Sequence, residues 1–238
     1  MRPFGHAVDL DVDFGQSDRP GLVTTLLAQC SDDGDAAFWW SQPVGVRTVT
    51  LLRLVALTEH RDDMALSAQC TARGCGESFE FTLPLLSLPD GAADVGPLRI
   101  HLDDDRTLTM RRPTGEDLRR WREAQPASRA EALRVMLESL VLGGQAGPGD
   151  EAAVSASISV MDPLVDFGVS CRCPVCGALN EVAVDLEMLA LERLAGRQNA
   201  LLQEMHRFAS SYGWTESEVL AVPPARRVRY LRLIEEQR

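Results

Sequence analysis

Two cysteine pairs that lie about a hundred residues apart set the strongest limit on how this chain can fold. Cys173 and Cys176 are separated by two residues and followed by a glycine, which suits a tight turn that brings both thiolates to one tetrahedral ion. Cys70 and Cys75 are separated by four residues and are also followed by a glycine. Both pairs stand between strand-like stretches, so each predicts a hairpin with metal ligands at its tip, here called a knuckle. Two knuckles predict a zinc ribbon whose Cys₄ site binds one zinc ion. The role of this ion is expected to be structural, because a complete thiolate shell leaves no open coordination position.

The six cysteines also allow other interpretations, which stay open at the level of the sequence. The four could be unrelated buried thiols, or the closer pair could be a redox-active Cys-x-x-Cys. A redox pair of the thioredoxin kind opens a helix, whereas residues 178–184 continue in a strand pattern. Cys171 lies two residues before Cys173 and could compete as a ligand, although an extended strand would hold it further from the knuckle tip. Cys30 is most simply a buried thiol.

Hydrophobic periodicity predicts the elements around the knuckles. Alternating apolar and polar residues indicate the two knuckle hairpins at about residues 65–84 and 165–186, and a further hairpin around an acidic turn at 103–105. Apolar residues at helical spacing predict a core helix over residues 44–59, which begins after a proline. Helical patterns also fill much of residues 113–161, so a helical insertion separates the two halves of the ribbon.

The predicted fold class is therefore α+β, with zinc-ribbon-like β-hairpins, a helical insertion and a C-terminal helical segment. Residues 1–43 read as an irregular acidic segment with one short helix. Residues 44–186 hold the core helix and the split ribbon, and residues 187–238 form the C-terminal helices. A glycine-rich stretch at 143–149 predicts a flexible linker within the insertion.

Composition and motif content argue against several classes of function. The formal net charge of −11 opposes binding to a phosphate backbone. No apolar run has the length of a membrane span, and the N-terminus lacks an apolar signal core, so we expect a cytoplasmic protein with reduced cysteines. No nucleophile elbow, phosphate-binding loop or dinucleotide fingerprint is present, and the four histidines are scattered. We therefore expect no enzymatic activity and no small-molecule substrate.

The last predicted helix is rich in arginine although the chain as a whole is acidic. One interpretation is a solvated face whose arginines pair in part with Glu235 and Glu236. Another is a docking surface for an acidic partner. The arginines concerned are Arg226, Arg227, Arg229 and Arg232.

Three motifs carry a resemblance to a known protein family, and the C-terminal motif is the most diagnostic. In chain order they are Trp40-x-x-Pro43-Val44-Gly45-x-Arg47, Arg112-Pro113-Thr114-x-x-Asp117 and His206-x-x-Ala209-x-x-Tyr212-Gly213-Trp214-x-Glu216-x-Glu218-Val219-Leu220, the last followed by Pro223, Arg226-Arg227 and Tyr230-Leu231. With these motifs the chain resembles the baseplate hub assembly proteins, often called chaperones, of contractile-tailed phages and phage-tail-like contractile injection systems. The resemblance spans roughly residues 38–235. Two cysteine knuckles recur in injection-system members, while the wider first knuckle and the extra Cys171 depart from the family pattern.

The resemblance implies a non-enzymatic structural or assembly role in a bacterial cytoplasm, with incorporation into the phage-tail-like particle as a further option. Its implied partners are baseplate hub, spike or tube-related proteins, without nucleic acid. A zinc-ribbon nucleic-acid-binding protein is the main alternative, and a metal-dependent hydrolase would need an open coordination position. The residues expected to contact the partner are Tyr212, Trp214, Arg226, Arg227, Arg229 and Tyr230.

Overall fold

Helices and short antiparallel hairpins alternate along the chain, which confirms the predicted α+β class. The structure is a computed structural model that describes residues 1–32, 34–88, 96–102, 106–147 and 149–236. The helices are α1 (Arg19–Cys30), α2 (Ala36–Ser41), α3 (Val44–Glu59), α4 (Gly115–Ala124), α5 (Arg129–Leu140), α6 (Glu151–Met161), α7 (Leu186–Tyr212), α8 (Glu216–Ala221) and α9 (Pro224–Glu236). The strands are β1 (Asp63–Gln69), β2 (Ser78–Pro84), β3 (Leu98–His101), β4 (Thr107–Met110), β5 (Val141–Gly143), β6 (Gly168–Arg172) and β7 (Leu179–Ala183).

Helix α3 lies at the centre of the main core and has the bounds that its sequence pattern predicts. Pro43 precedes its first turn, and it ends at His60, which adopts a left-handed conformation with φ of 54°. Apolar side chains on several of its faces are buried because α1 and α7 pack against it. A helix buried on more than one face provides the rigid base from which the first knuckle hairpin emerges.

The two knuckle hairpins form separate two-stranded sheets. Strands β1 and β2 pair antiparallel with Leu66 opposite Phe81, and β6 and β7 pair antiparallel with Cys171 opposite Asn180. A two-stranded hairpin alone is only marginally stable in water, so each sheet depends on what packs against it. Their inner ends join the main core, and their outer ends meet at the four cysteines.

The N-terminal segment is more ordered than its composition indicates. Residues 1–43, expected to be largely irregular with one short helix, contain a 3₁₀ helix (Ala7–Asp11) as well as α1 and α2. Phe4 and Val12 are buried in the main core, and the Asp9 carboxylate accepts two hydrogen bonds of 2.7 Å from the Arg2 guanidinium. The segment is thus part of the core because its scattered apolar side chains are covered by α3 and α7.

A second core forms within the predicted insertion and includes the hairpin that precedes it. Strands β3 and β4 pair with each other, and β5 adds a third strand through Thr109 opposite Gly143 and Met110 opposite Val141. Gly143, the first residue of the predicted glycine-rich linker, therefore lies in a strand. The acidic turn predicted at 103–105 lies outside the described residues.

The C-terminal helices follow the capping signals in the sequence. Asp185 accepts a 3.0 Å hydrogen bond from the Met188 N–H at the start of α7, and Gly213 ends the helix with φ of +68°. Thr215 and Glu218 form the predicted capping box of α8. Within the described ranges, no helix combines the length and apolar character that a membrane crossing requires.

Candidate metal centre

The four predicted cysteines meet at one point although they come from two hairpins. The Sγ atoms of Cys70, Cys75, Cys173 and Cys176 all lie within 4.8 Å of one another. The Sγ distance is 3.6 Å between Cys70 and Cys176 and 3.8 Å between Cys75 and Cys173. A regular tetrahedron with Zn–S bonds of ~2.3 Å has sulfur–sulfur edges of about 3.8 Å. The cluster therefore has the size and the donor set of a site for one metal ion.

Both knuckles are closed by the same backbone hydrogen bond. The N–H of the first cysteine donates to the carbonyl two residues after the second cysteine, from Cys70 to Glu77 at 2.8 Å and from Cys173 to Ala178 at 2.9 Å. The glycine after the second cysteine has positive φ in each case, +66° at the first knuckle and +73° at the second. A side chain is disfavoured in this conformation, which explains the shared Cys-Gly ending.

The wider spacing of the first knuckle is absorbed by a local turn. The Cys75 N–H donates to the Ala72 carbonyl at 3.1 Å, and Gly74 adopts φ of +84°. This extra turn takes up the two additional residues and returns Cys75 to a position equivalent to that of Cys176. The departure from a two-residue spacing therefore does not remove Cys75 from the cluster.

Asn180 joins the two knuckles and was missed by sequence reasoning. Its side-chain oxygen accepts hydrogen bonds from the Thr71 N–H at 2.8 Å and the Thr71 hydroxyl at 3.0 Å. Its side-chain N–H donates to the Ala178 carbonyl at 2.9 Å, and only 1% of the residue is exposed. The sequence signal that could have identified Asn180 is its polar side chain at a position of β7 that faces inward in the strand alternation.

The backbone around the sulfur atoms favours thiolate at one position of the cluster. The N–H groups of Cys176 and Val175 point at the Cys173 sulfur and lower the pKa of that thiol to about 7, although burial opposes them. The Glu77 N–H lowers the pKa of Cys75, but burial and the neighbouring sulfur atoms outweigh it and raise the pKa to about 12. Four thiols in contact cannot all ionise without a cation, and a metal ion would replace the protons that they hold.

The two remaining cysteines stay outside the cluster. The Cys171 sulfur lies 3.8 Å from the Asn180 carbonyl oxygen on the flank of the hairpin and is not part of the four-sulfur group. Cys30 is buried in the main core, where burial raises the pKa of its thiol to about 11. The segment after Cys176 continues as strand β7, so the arrangement differs from a redox pair that opens a helix.

The residues expected to contact the partner form two groups in the structure, three aromatic residues and three arginines of α9. Tyr212, Trp214 and Tyr230 pack around the buried ring of Phe208, which stacks on Trp214 with a centroid distance of 5.3 Å and an interplanar angle of 2°. These rings hold α7, α8 and α9 together, although 38% of Tyr212 remains exposed.

The expectation that Arg227 contacts a partner is wrong. Only 4% of this residue is exposed, and its Nε lies 3.5 Å from a Glu204 carboxylate oxygen on α7. Arg227 shares one face of α9 with Tyr230, Leu231 and Ile234, at a spacing of three, four and seven residues, and that face packs on α7. Arg226 and Arg229 lie on the opposite, exposed face.

Comparison with known proteins gives no relative from which a role could be transferred. A scan of protein-family models, a search of curated proteins and a search of solved structures each found no match.

Proposed function

We propose that the four-cysteine cluster binds one zinc ion whose role is structural. The observation that carries this proposal is the convergence of four sulfur atoms from two distant hairpins at tetrahedral distances. Four thiolates suit zinc and would fill its coordination shell, which leaves no position at which water or a substrate could react. The ion would fasten hairpin β1–β2 to hairpin β6–β7, and its binding free energy would contribute to folding.

Metal analysis of the purified chain tests the zinc proposal directly. We expect elemental mass spectrometry to find one zinc per chain. Removal of the zinc with a strong chelator should lower the thermal stability of the protein. Iron in the same site, or metal-free protein with unchanged stability, would contradict it.

We propose further that the protein is a non-enzymatic assembly component of a contractile-tail baseplate hub. Two of the three motifs behind the family resemblance are neighbours in the structure although about seventy residues separate them. Pro43 pairs with Thr114, and the Val44 N–H donates to the Pro113 carbonyl at 2.9 Å. The two motifs therefore form one junction of the fold, and the proposal of an assembly role rests on the sequence resemblance that they carry.

Buried polar groups stabilise the same junction. Arg47 is fully buried and donates to the Trp39 carbonyl at 3.1 Å and to the Thr24 hydroxyl at 2.9 Å. The Arg47 and Arg119 guanidiniums lie on the Trp40 ring, at 5.1 and 5.0 Å from its centroid. Burial of a guanidinium is costly unless it is hydrogen-bonded, so these acceptors are a structural requirement for Arg47 at this position.

Copurification from cells that express the surrounding gene cluster tests the assembly proposal. We expect tagged protein to retain a hub, spike or tube-related protein, and deletion of the gene to reduce the number of complete particles. Unchanged particle number and sheath length after deletion would contradict the proposal. Detection of the chain in finished particles would distinguish a resident component from an assembly chaperone.

A further inference from the structure

The outer face of α9 carries a row of three exposed arginines. Arg226, Arg229 and Arg232 are spaced by three residues and are all exposed. Within the part of the chain that the structure describes, none of them forms an ion pair. Glu235, which could have neutralised Arg232 within the helix, instead pairs with Arg207 of α7 at 2.9 Å. Glu236, four residues after Arg232, adds one negative charge to the same exposed face, so the three arginines leave that face with a net positive charge.

Two aliphatic side chains flank this arginine row. Val228 is 47% exposed and Leu233 is 48% exposed. At helical spacing Val228 neighbours Arg232, and Leu233 neighbours Arg229, because residues four apart lie on the same side of a helix. Arginine is enriched at protein interfaces relative to the rest of the surface, so a row of arginines with aliphatic groups beside it has the composition of a contact surface.

Helix α9 is held rigidly from behind. Tyr230 packs edge-on against Trp214 with a centroid distance of 5.4 Å, and Ile234 is 5% exposed. On the same inner face Arg227 contacts Glu204. A helix backbone that is fixed before binding loses little conformational entropy when a partner docks, so the cost of ordering is confined to the exposed side chains.

We propose that this face, formed by Arg226, Val228, Arg229, Arg232 and Leu233, docks an acidic, partly apolar segment of another protein. The charge relation favours such an occupant, since a strongly basic row stands on a chain whose net charge is −11. That same net charge would repel nucleic acid beyond the immediate contact. Tyr230 packs inward against the aromatic cluster, so its ring does not face outward to stack on a nucleic-acid base. The inference depends on the proposed function for one point, which is that the partner is a protein.

The test uses the metal-loaded full chain and a synthetic helical peptide with glutamates on one face and leucines at its edges. Charge reversal in R226E/R229E should weaken peptide binding at least about tenfold and reduce its salt dependence. V228S/L233S should weaken binding several-fold while the salt dependence stays unchanged. The matched control R99E/R129E reverses two exposed arginines that also lack ion pairs in the described structure, and it should bind as the wild type does.

Three outcomes would overturn the proposal. The first is equal binding of the peptide by the wild type and R226E/R229E, with circular dichroism and metal content confirming that both are folded. The second is tighter binding of a duplex DNA or RNA oligonucleotide than of the peptide. The third is self-association of the wild type that R226E/R229E abolishes, since the occupant would then be a second copy. Failure of the peptide test would leave copurification with hub components unaffected, so the two proposals fail separately.

Discussion

The amide oxygen of Asn180 accepts hydrogen bonds from both the N–H and the hydroxyl of Thr71, and so connects the second knuckle to the first. The two residues are 109 positions apart in the chain. This contact fixes the relative position of the two cysteine pairs through protein atoms alone. The ligands are therefore partly preorganised, which lowers the conformational cost of binding a metal ion.

Replacement of Asn180 by alanine should loosen the metal centre while leaving all four ligands in place. The Thr71 N–H and hydroxyl would lose their buried acceptor, which should reduce the free energy of unfolding by about 1–3 kcal/mol. Zinc transfer to a colorimetric chelator should become faster than in the wild type. Glu181→Gln, at the exposed neighbouring position of β7, serves as the control. Equal transfer rates for the two variants would show that the Thr71–Asn180 contact does not support the site.

Single serine substitutions should separate the ligands from the other cysteines. Removing a hydrogen-bond partner of a metal ligand costs about 10–100-fold in affinity, and removing the ligand itself should cost more. We expect Cys75→Ser and Cys173→Ser to lose most of the bound zinc, because each takes one sulfur from the same shell. Cys171→Ser should keep one zinc per chain in metal analysis. Zinc loss from Cys171→Ser with retention in Cys75→Ser would mean that Cys171 takes the fourth position.

The elements that the sequence predicts well are those specified by nearby residues. The bounds of α3 follow from Pro43 and from apolar periodicity, and the knuckles follow from cysteine spacing and glycine. Asn180 could not be assigned in this way, because its partner Thr71 belongs to the other hairpin. The burial of Arg227 was open to prediction, since the apolar residues at positions three, four and seven further on mark the inner face of α9.

Gly115 should tolerate no side chain, in contrast to another helical glycine of the same chain. A Cβ at Gly115 would collide with the Arg47 guanidinium and lie 3.1 Å from the Trp40 carbonyl oxygen. We expect Gly115→Ala to reduce the free energy of unfolding by about 1–3 kcal/mol, because the buried arginine must move. Gly196, inside α7, has no atom within 4 Å of an added Cβ. Gly196→Ala should therefore raise stability by roughly 0.5–1 kcal/mol in denaturant titrations.

Identical stability changes in the two alanine variants would contradict this account of the junction. Both substitutions add one methyl group, but only the methyl at Gly115 meets other atoms, so opposite signs of the stability change are expected. The same residues connect two motifs of the family resemblance, so the result also tests whether those motifs serve the fold.

Asp117 should make stability depend on pH in the acid range. Burial raises the pKa of this carboxyl, but hydrogen bonds from Arg111 at 2.6 and 2.7 Å and from Thr114 outweigh it, so the pKa in the folded state is lowered. The contribution of the ionised group is therefore complete above the unfolded-state pKa of about 3.9, and it is lost as the pH falls towards the lower folded-state value.

Asp117→Asn should cost about 3 kcal/mol at neutral pH, because the Arg111 guanidinium loses its buried carboxylate. Below about pH 4 the difference from the wild type should shrink, because the Asp117 carboxyl is protonated in the unfolded chain while it is still ionised in the folded one, and it should vanish only once the folded carboxyl is protonated too. Urea titrations at several pH values measure this difference, with the metal content of both proteins determined at each pH. Asp63→Asn, which removes an exposed pair with Arg61, should change stability by less than about 1 kcal/mol at every pH. A deficit in Asp117→Asn that does not vary with pH would assign the role of Asp117 to its hydrogen bonds with Thr114 rather than to its charge.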